Sequence, residues 1–312
     1  MSNATPSRLG QANAAGDTDA LFLKVFSGLV LEAFDRQQAF KDKHMVRTIA
    51  NGKSAQFPVT GLAGAKYHTP GTELLGDVIR AGERVIVIDD MIVTDAFIAA
   101  IDELKNHYDV RSIYANEMGQ ALAKLYDQNV ARAIIQAARG SAVIDGLSGG
   151  GSDTAAGYAN NGTTLWTGIF NAGVVLDTKD IPAAERYAAL RPVQYALVVQ
   201  SEKPINRDIN DANGSIARGN VERINDISIF KSNNLPSADD TANTGIASQL
   251  RGDYSGTQGV VFHRGAAGTV QLQDVTMEQA YDIRRQGTLM VGKYVVGHDK
   301  LRPEAAYELK SA

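Results

Sequence analysis

Cysteine is absent from all 312 residues, which excludes disulfides, thiolate nucleophiles and cysteine-based zinc sites together and fits a reducing cytoplasm. Positive charge is not in excess either. With 31 Lys and Arg against 35 Asp and Glu, the formal charge is -4, so composition offers no basic surplus for gripping nucleic acid. Long apolar runs are also missing: ALFLKVFSGLVLEAF is too short to span a bilayer and contains Lys24 and Glu32, so no membrane contact is expected. The opening MSNATPSRLGQANAAGDTDA lacks the apolar centre of a secretory signal. Histidines are few and scattered, at 44, 68, 107, 263 and 298, without the paired spacing that a metal site needs. What is present is a globular composition, 44% hydrophobic, with enough length for one large domain or two moderate ones.

Along the chain, residues 1 to 18 read as a polar tail and Asp19 as the N-cap of a helix whose apolar face carries Phe22, Val25, Phe26, Leu29, Val30 and Ala33. From Arg47 to Asp90 the pattern changes to two β-type runs, SAQFPV and RVIVIDD, separated by the turn-rich GLAGAKYHTPGTELLGDVIRAGE. Such a two-stranded arm is marginal alone in water, so it is expected to lie on its own chain or on a neighbouring subunit. Thr94 or Asp95 could cap a first helix through Phe97, Ile98, Ile101 and Leu104. Helical spacing then runs from Asp109 to Arg139, about 45 Å at 1.5 Å per residue, until Gly140 stops it. Residues 140 to 164 read as a loop, 175 to 258 as a second, α/β region, and VTMEQAYDIRR with TLMVGKYVVGH as a hairpin with Val275, Met277, Tyr281 and Ile283 on one face.

Several stretches imitate active sites. NHYDVRS holds His107, Asp109 and Arg111 together, but on a helix Asp109 lies about 200° round from His107, so a triad cannot converge. An exposed ladder of Glu103, His107 and Arg111 accounts for it, each pair being worth roughly 0.2–0.5 kcal/mol. GLSGG matches the nucleophile elbow around Ser148 in letters, although no helical period follows it; a serine hydrolase using Ser148, with His263 or His298, is the rival from another class. NGKS lacks the leading glycine of a phosphate loop, since Arg47 stands there, and RGD at Arg251 to Asp253 is a three-letter match in a Gly-rich loop. No catalytic, metal or cofactor site is expected.

Five separated segments carry a resemblance: ALFLKVF (20 to 26), HMVRTIANGKSAQFPV (44 to 59), NHYDVRS (106 to 112), HRGAAGTVQLQD (263 to 274) and GHDKLRPEAA (297 to 306). In this order they resemble the major capsid protein of short-tailed, T-seven-type double-stranded DNA bacteriophages (podoviruses). That resemblance implies an α+β fold of the Hong Kong-97-type: an N-terminal arm at 1–46, an extended β-hairpin E-loop at 47–90, a P-domain with a long spine helix and β-sheet at 91–170 and 259–312, and an A-domain at 171–258.

It also implies a structural subunit rather than an enzyme, one that assembles with itself as hexamers and pentamers into an icosahedral shell in the host cytoplasm. The implied partners are a scaffolding protein that templates a procapsid, a portal protein, and packaged double-stranded DNA held by weak, non-specific contact. A shell of the same fold enclosing a protein cargo is the nearest alternative. By motif match the assembly contacts are Arg47, Lys53, Phe57 and Pro58 on the E-loop, Asp109 and Arg111 at the start of the spine, and His263, Arg302 and Pro303 in the returning P-domain. Phe57 is expected to anchor the hairpin on a neighbouring subunit.

Overall fold

In a computed structural model of the chain, the described residues are 38–74, 76–88, 90–105, 110–201, 214–215 and 220–312. The expected N-terminal helix, together with His107 and Asp109, lies outside them. In chain order the elements begin with β1 (Met45–Thr48), β2 (Ser54–Thr60), β3 (Ala81–Val87), β4 (Ile92–Ala99), α1 (Ala100–Lys105) and α2 (Val110–Ala138). β5 (Gly151–Thr154), α3 (Gly162–Thr178), β6 (Arg186–Leu190) and α4 (Pro192–Gln200) follow. Four short strands come next, β7 (Gly214–Ser215), β8 (Asn220–Val221), β9 (Arg223–Ile224) and β10 (Ile227–Lys231). The chain closes with β11 (Thr257–His263), β12 (Ala267–Asp282), β13 (Gly287–Lys300) and β14 (Ala306–Lys310).

Two compact units emerge, one of Asp90–Tyr126 with Gln273–Val296, the other of Ala39–Asp89, Asp127–Leu272 and Gly297–Ala312. In the first, β4 runs antiparallel to β13, from Gly287↔Ala99 to Tyr294↔Ile92. This replaces the helix expected from Thr94 or Asp95: the β-branched run Ile92, Val93, Thr94 prefers the pleat, and Phe97 and Ile98 are buried from a strand. Only the six residues of α1 are helical there. Ile98, Met118 and Met290 form the small core, and a Cβ on Gly287 would lie 2.5 Å from the Ile98 carbonyl oxygen, so the strands meet closely because that position is bare. The hairpin expected near the C-terminus is present as β12 and β13, neighbours in one sheet.

The second unit is built on a six-stranded sheet in the order β5-β14-β11-β6-β10-β9. Central β11 is buried along nearly its whole length, and α3 packs on it through Leu165, Ile169, Ala172 and Leu176. Asn161 caps α3, its side-chain oxygen accepting from the N–H groups of Thr163 and Thr164 at 2.9 and 3.2 Å. The stretch expected as loop through 164 therefore ends earlier, after a short strand, because Asn161 starts a helix that Gly-rich composition disguised. The expected boundary between 170 and 171 falls inside α3.

Helix α2 has 29 residues, close to the expected length, and its last turn tightens as Gly140 N–H donates to the Ala137 carbonyl at 2.9 Å. Its C-terminal half is almost wholly buried and carries three polar clamps. Asp127 accepts from the N–H groups of Ala39 and Phe40 at 2.7 and 3.4 Å and from Asn234 Nδ2 at 3.1 Å. Burial pushes its carboxyl above the usual range despite those donors. Arg132 meets Asp240 at 2.8 Å, and Arg139 donates twice to Glu308 at 2.6 Å. With Gln136, which reaches Arg251 O and Tyr254 Oη at 3.1 Å, they hold the strandless segment 232–256 against the helix. Phe40 is fully buried against Phe230 and Phe262 at ring distances of 5.2 and 6.2 Å.

Candidate assembly surface

The hairpin of β2 and β3 pairs antiparallel from Ser54↔Val87 to Thr60↔Ala81. Alternation sends Ala55, Val59 and Ile86 inward, and Ala55 and Ile86 join Val270 and Leu301 in a small core on which Ile49, Phe57 and Ile88 pack. Farther along, a Cβ on Gly82 would lie 3.1 Å from Ile144 Cγ1, and Arg80 pairs with Asp145. The strands are thus held on the chain's own body. The loop beyond them is not: from residue 62 to residue 79 every described residue is exposed. It has its own minor ties, an exposed Lys66 to Asp77 pair at 2.8 Å and a turn at Thr69–Thr72, each worth little in water.

That loop presents Leu62, Tyr67, Leu74, Val78 and Ile79 to solvent, at 55% exposure or more. These residues were not singled out from the sequence. The signal was there, five large apolar side chains inside a segment whose glycines and turns dominated its reading. An apolar set of this kind on one thin loop marks an interaction surface.

Of the residues named from the sequence, the structure brings Arg47 and Phe57 together: Arg47 Nη1 donates to Gln56 O at 2.7 Å and its guanidinium lies 5.8 Å from the centre of the Phe57 ring. Phe57 is half-buried against its own chain's core, so its first packing partner is internal. Lys53 and Pro58 are exposed on the same hairpin, Pro58 opposite Glu83. His263, Arg302 and Pro303 form a second group at the turns before β12 and β14. His263 Nδ1 accepts from Gly265 N–H at 3.1 Å, and burial, with the nearby Arg302, lowers its pKa. Arg302 donates to Glu304 at 2.7 Å, and Pro303 is buried beside Gly140. Arg111 lies in the first turn of α2, and Asp109 falls outside the described residues.

The lookalike motifs resolve structurally. Ser148 is exposed, between helix α2 and strand β5, the reverse of the strand-to-helix order an elbow needs. His263 is occupied by Gly265, and fully buried His298 meets Thr269 Oγ1 at 2.9 Å. In the RGD stretch Arg251 folds back on the Ile246 carbonyl at 2.9 Å instead of projecting. NGKS is the turn between β1 and β2, and among the described residues no group of His, Asp and Glu could hold a metal ion.

Comparison with known proteins bears on the same features. A family model described as "Gp10A-like: Major capsid protein" matches residues 56–310. The major capsid protein of Escherichia phage T7 is 33% identical over 324 residues, covering 94% of this chain and 92% of that protein. Among solved structures, the capsid of the cyanophage P-SCSP1u is 44% identical, with a TM-score of 0.84, and covers 100% of this chain and 99% of its own. The mature capsid of bacteriophage PhiM1 matches at a TM-score of 0.78 with 20% identity, over 99% of both chains, and is similar in fold alone.

Proposed function

The chain belongs to the Gp10A-like major capsid protein family, and from that premise we propose how it builds a shell. It is a structural subunit of a phage virion capsid, with the Hong Kong-97-type fold. In the proposed arrangement, hexamers and pentamers of the chain close an icosahedral shell around double-stranded DNA, assembled in the host cytoplasm on a scaffolding protein and opened at one vertex by a portal. The formal charge of -4 supports containment of DNA without a grip on it, since tight phosphate binding needs clustered cations.

One observation carries the assembly reading: the loop at 62–79 exposes five large apolar side chains while the strands below it are secured on their own body. The hairpin is the E-loop, 47–90, and its tip is covered by a neighbouring subunit, where each fully buried side chain contributes roughly 1.5–3 kcal/mol. Residues 1–46 act as the N-terminal arm, 91–170 with 259–312 as the P-domain and 171–258 as the A-domain. Arg47 and Phe57 shape the hairpin base, Lys53 and Pro58 face the neighbour, Asp109 and Arg111 open the spine, and His263, Arg302 and Pro303 set the turns that return the chain to the P-domain.

Negative-stain electron microscopy with light scattering, on the chain alone and with its scaffolding partner, tests this. Closed shells of uniform size, tubes or hexamer-like rings are expected. A monodisperse monomer under both conditions would contradict the reading.

A further inference from the structure

Helix α3 has two apolar faces, and only one is used by its own sheet. Leu165, Ile169, Ala172 and Leu176 are buried inward. On the outside Trp166, Phe170 and Val174 recur at four-residue intervals, which places them on one stripe. Trp166 stacks on Phe170 with ring centres 5.5 Å apart and planes 15° from parallel, while Phe170 is 38% and Val174 45% exposed. The stripe is fixed in place: Asn225 Nδ2, from the turn between β9 and β10, donates to the Phe170 carbonyl at 3.4 Å.

Charge decides what such a stripe can meet. In the 17 residues of α3 the only charged side chain is Asp177, near the C-terminal end, and the stripe's neighbours are Thr163, Thr167 and Asn171. Nucleic acid requires cations opposite its phosphates, and interfacial membrane helices carry a basic polar face. Neither fits a neutral helix. A stacked Trp and Phe pair, by contrast, has little side-chain freedom left to lose and is of the composition enriched at the centre of protein interfaces.

We propose that this stripe is a contact between copies of the chain, separate from the hairpin loop. The inference rests on the shell reading above. In a closed ring each subunit joins its neighbours through two different faces, because head-to-tail contacts are heterologous. The hairpin loop supplies one apolar surface, and the α3 stripe supplies another on the sheet-bearing unit. The occupant is therefore a second copy, which brings an apolar surface of its own.

Trp166 is the single tryptophan of the chain, so its fluorescence reports this surface alone. Emission and iodide quenching are recorded on free wild-type subunits and on shells assembled from them with scaffolding protein. A blue shift with several-fold weaker quenching in the shell is expected. Shells whose tryptophan emission and quenching match those of free subunits would overturn the proposal while leaving the shell reading intact. Failure of wild-type subunits to form any shell or ring would overturn the shell reading, and the stripe contact with it. As a second arm, Phe170→Ser should keep the thermal midpoint of the free subunit yet raise the concentration needed for assembly about tenfold, equivalent to roughly 1.4 kcal/mol per contact. Assembly at the wild-type concentration would count against the stripe.

Discussion

The C-terminal half of α2 and the loop at 62–79 are opposite solutions to the same difficulty, a length of chain with few regular partners. Segment 232–256 has no strand of its own, yet Leu235, Ile246, Leu250 and Tyr254 are buried and Arg132, Gln136 and Arg139 bind it to the helix. The hairpin loop has apolar side chains of similar size and no such clamps, so they remain in water. One region is stabilised by its own chain; the other is left for a neighbour. Stability of the subunit and formation of the shell should therefore respond to different residues, an instance of folding and association sharing one free energy.

The sharpest way to break that comparison is to disarm a clamp. Glu308 is 1% exposed at its side chain and accepts both Arg139 bonds and that of Thr257 Oγ1 at 2.5 Å. Glu308→Ala leaves a partly buried guanidinium without its partner, and a loss of about 3–5 kcal/mol is expected in chemical denaturation of the subunit. A loss below about 1 kcal/mol, the worth of an exposed pair, would mean the clamp is not a clamp.

Acid should attack the base of the hairpin next. His44 and His298 are both 1% exposed, and His44 Nδ1 lies 2.7 Å from the Phe40 carbonyl. Burial depresses both, His44 to about 4 with opposition from the Phe40 bond, and His298 to about 3 with help from His44. Above the ordinary value of 6.5 the imidazoles are neutral folded or unfolded, and nothing is lost. Below it the unfolded chain takes up protons that the fold refuses, so stability falls toward pH 4 by up to about 1.4 kcal/mol per pH unit for each histidine. Asp127 and Asp299, both raised by burial, act in the opposite sense as they protonate. His298→Gln should flatten the fall between pH 6.5 and 4; an unchanged slope would assign it to other groups.

The smallest expected effect on the subunit comes from the loop, with Leu74→Asp and Val78→Asp together. Surface changes of this kind shift stability within about 0.5 kcal/mol, while shell formation, followed by light scattering, should stop. Normal shells from this variant would remove the loop from the interface. Phe57→Asp should differ from it by weakening the free subunit as well, because Phe57 packs on Ala55 and Ile86 of its own chain.

Much of this division was legible in the sequence. The hairpin showed as two alternating runs around turns, and α2 as an apolar period sustained well beyond an ordinary helix. What was not legible depended on partners far along the chain. Phe97 and Ile98 fit a helix or a strand until β13, some 190 residues later, supplies the ladder for Ile92–Ala99. Arg132 and Asp240 are 108 residues apart, and no local pattern announces that they meet. Arg302 and Pro303 looked like surface features of a motif, whereas Pro303 is buried and Arg302 is tied to buried Glu304. The exposed Leu62, Tyr67, Leu74, Val78 and Ile79 went unmarked because glycine and turn chemistry described the same residues equally well.

Hydrogen exchange, compared between free subunits and assembled shells, tests most directly whether the hairpin loop takes its order from a neighbour. Amides of the 62–79 loop should exchange fast in the free subunit and become strongly protected in the shell, while those of Val130 to Ala138 in α2 are protected in both. Equal exchange of the loop in the two states, with shells demonstrably formed, would contradict it.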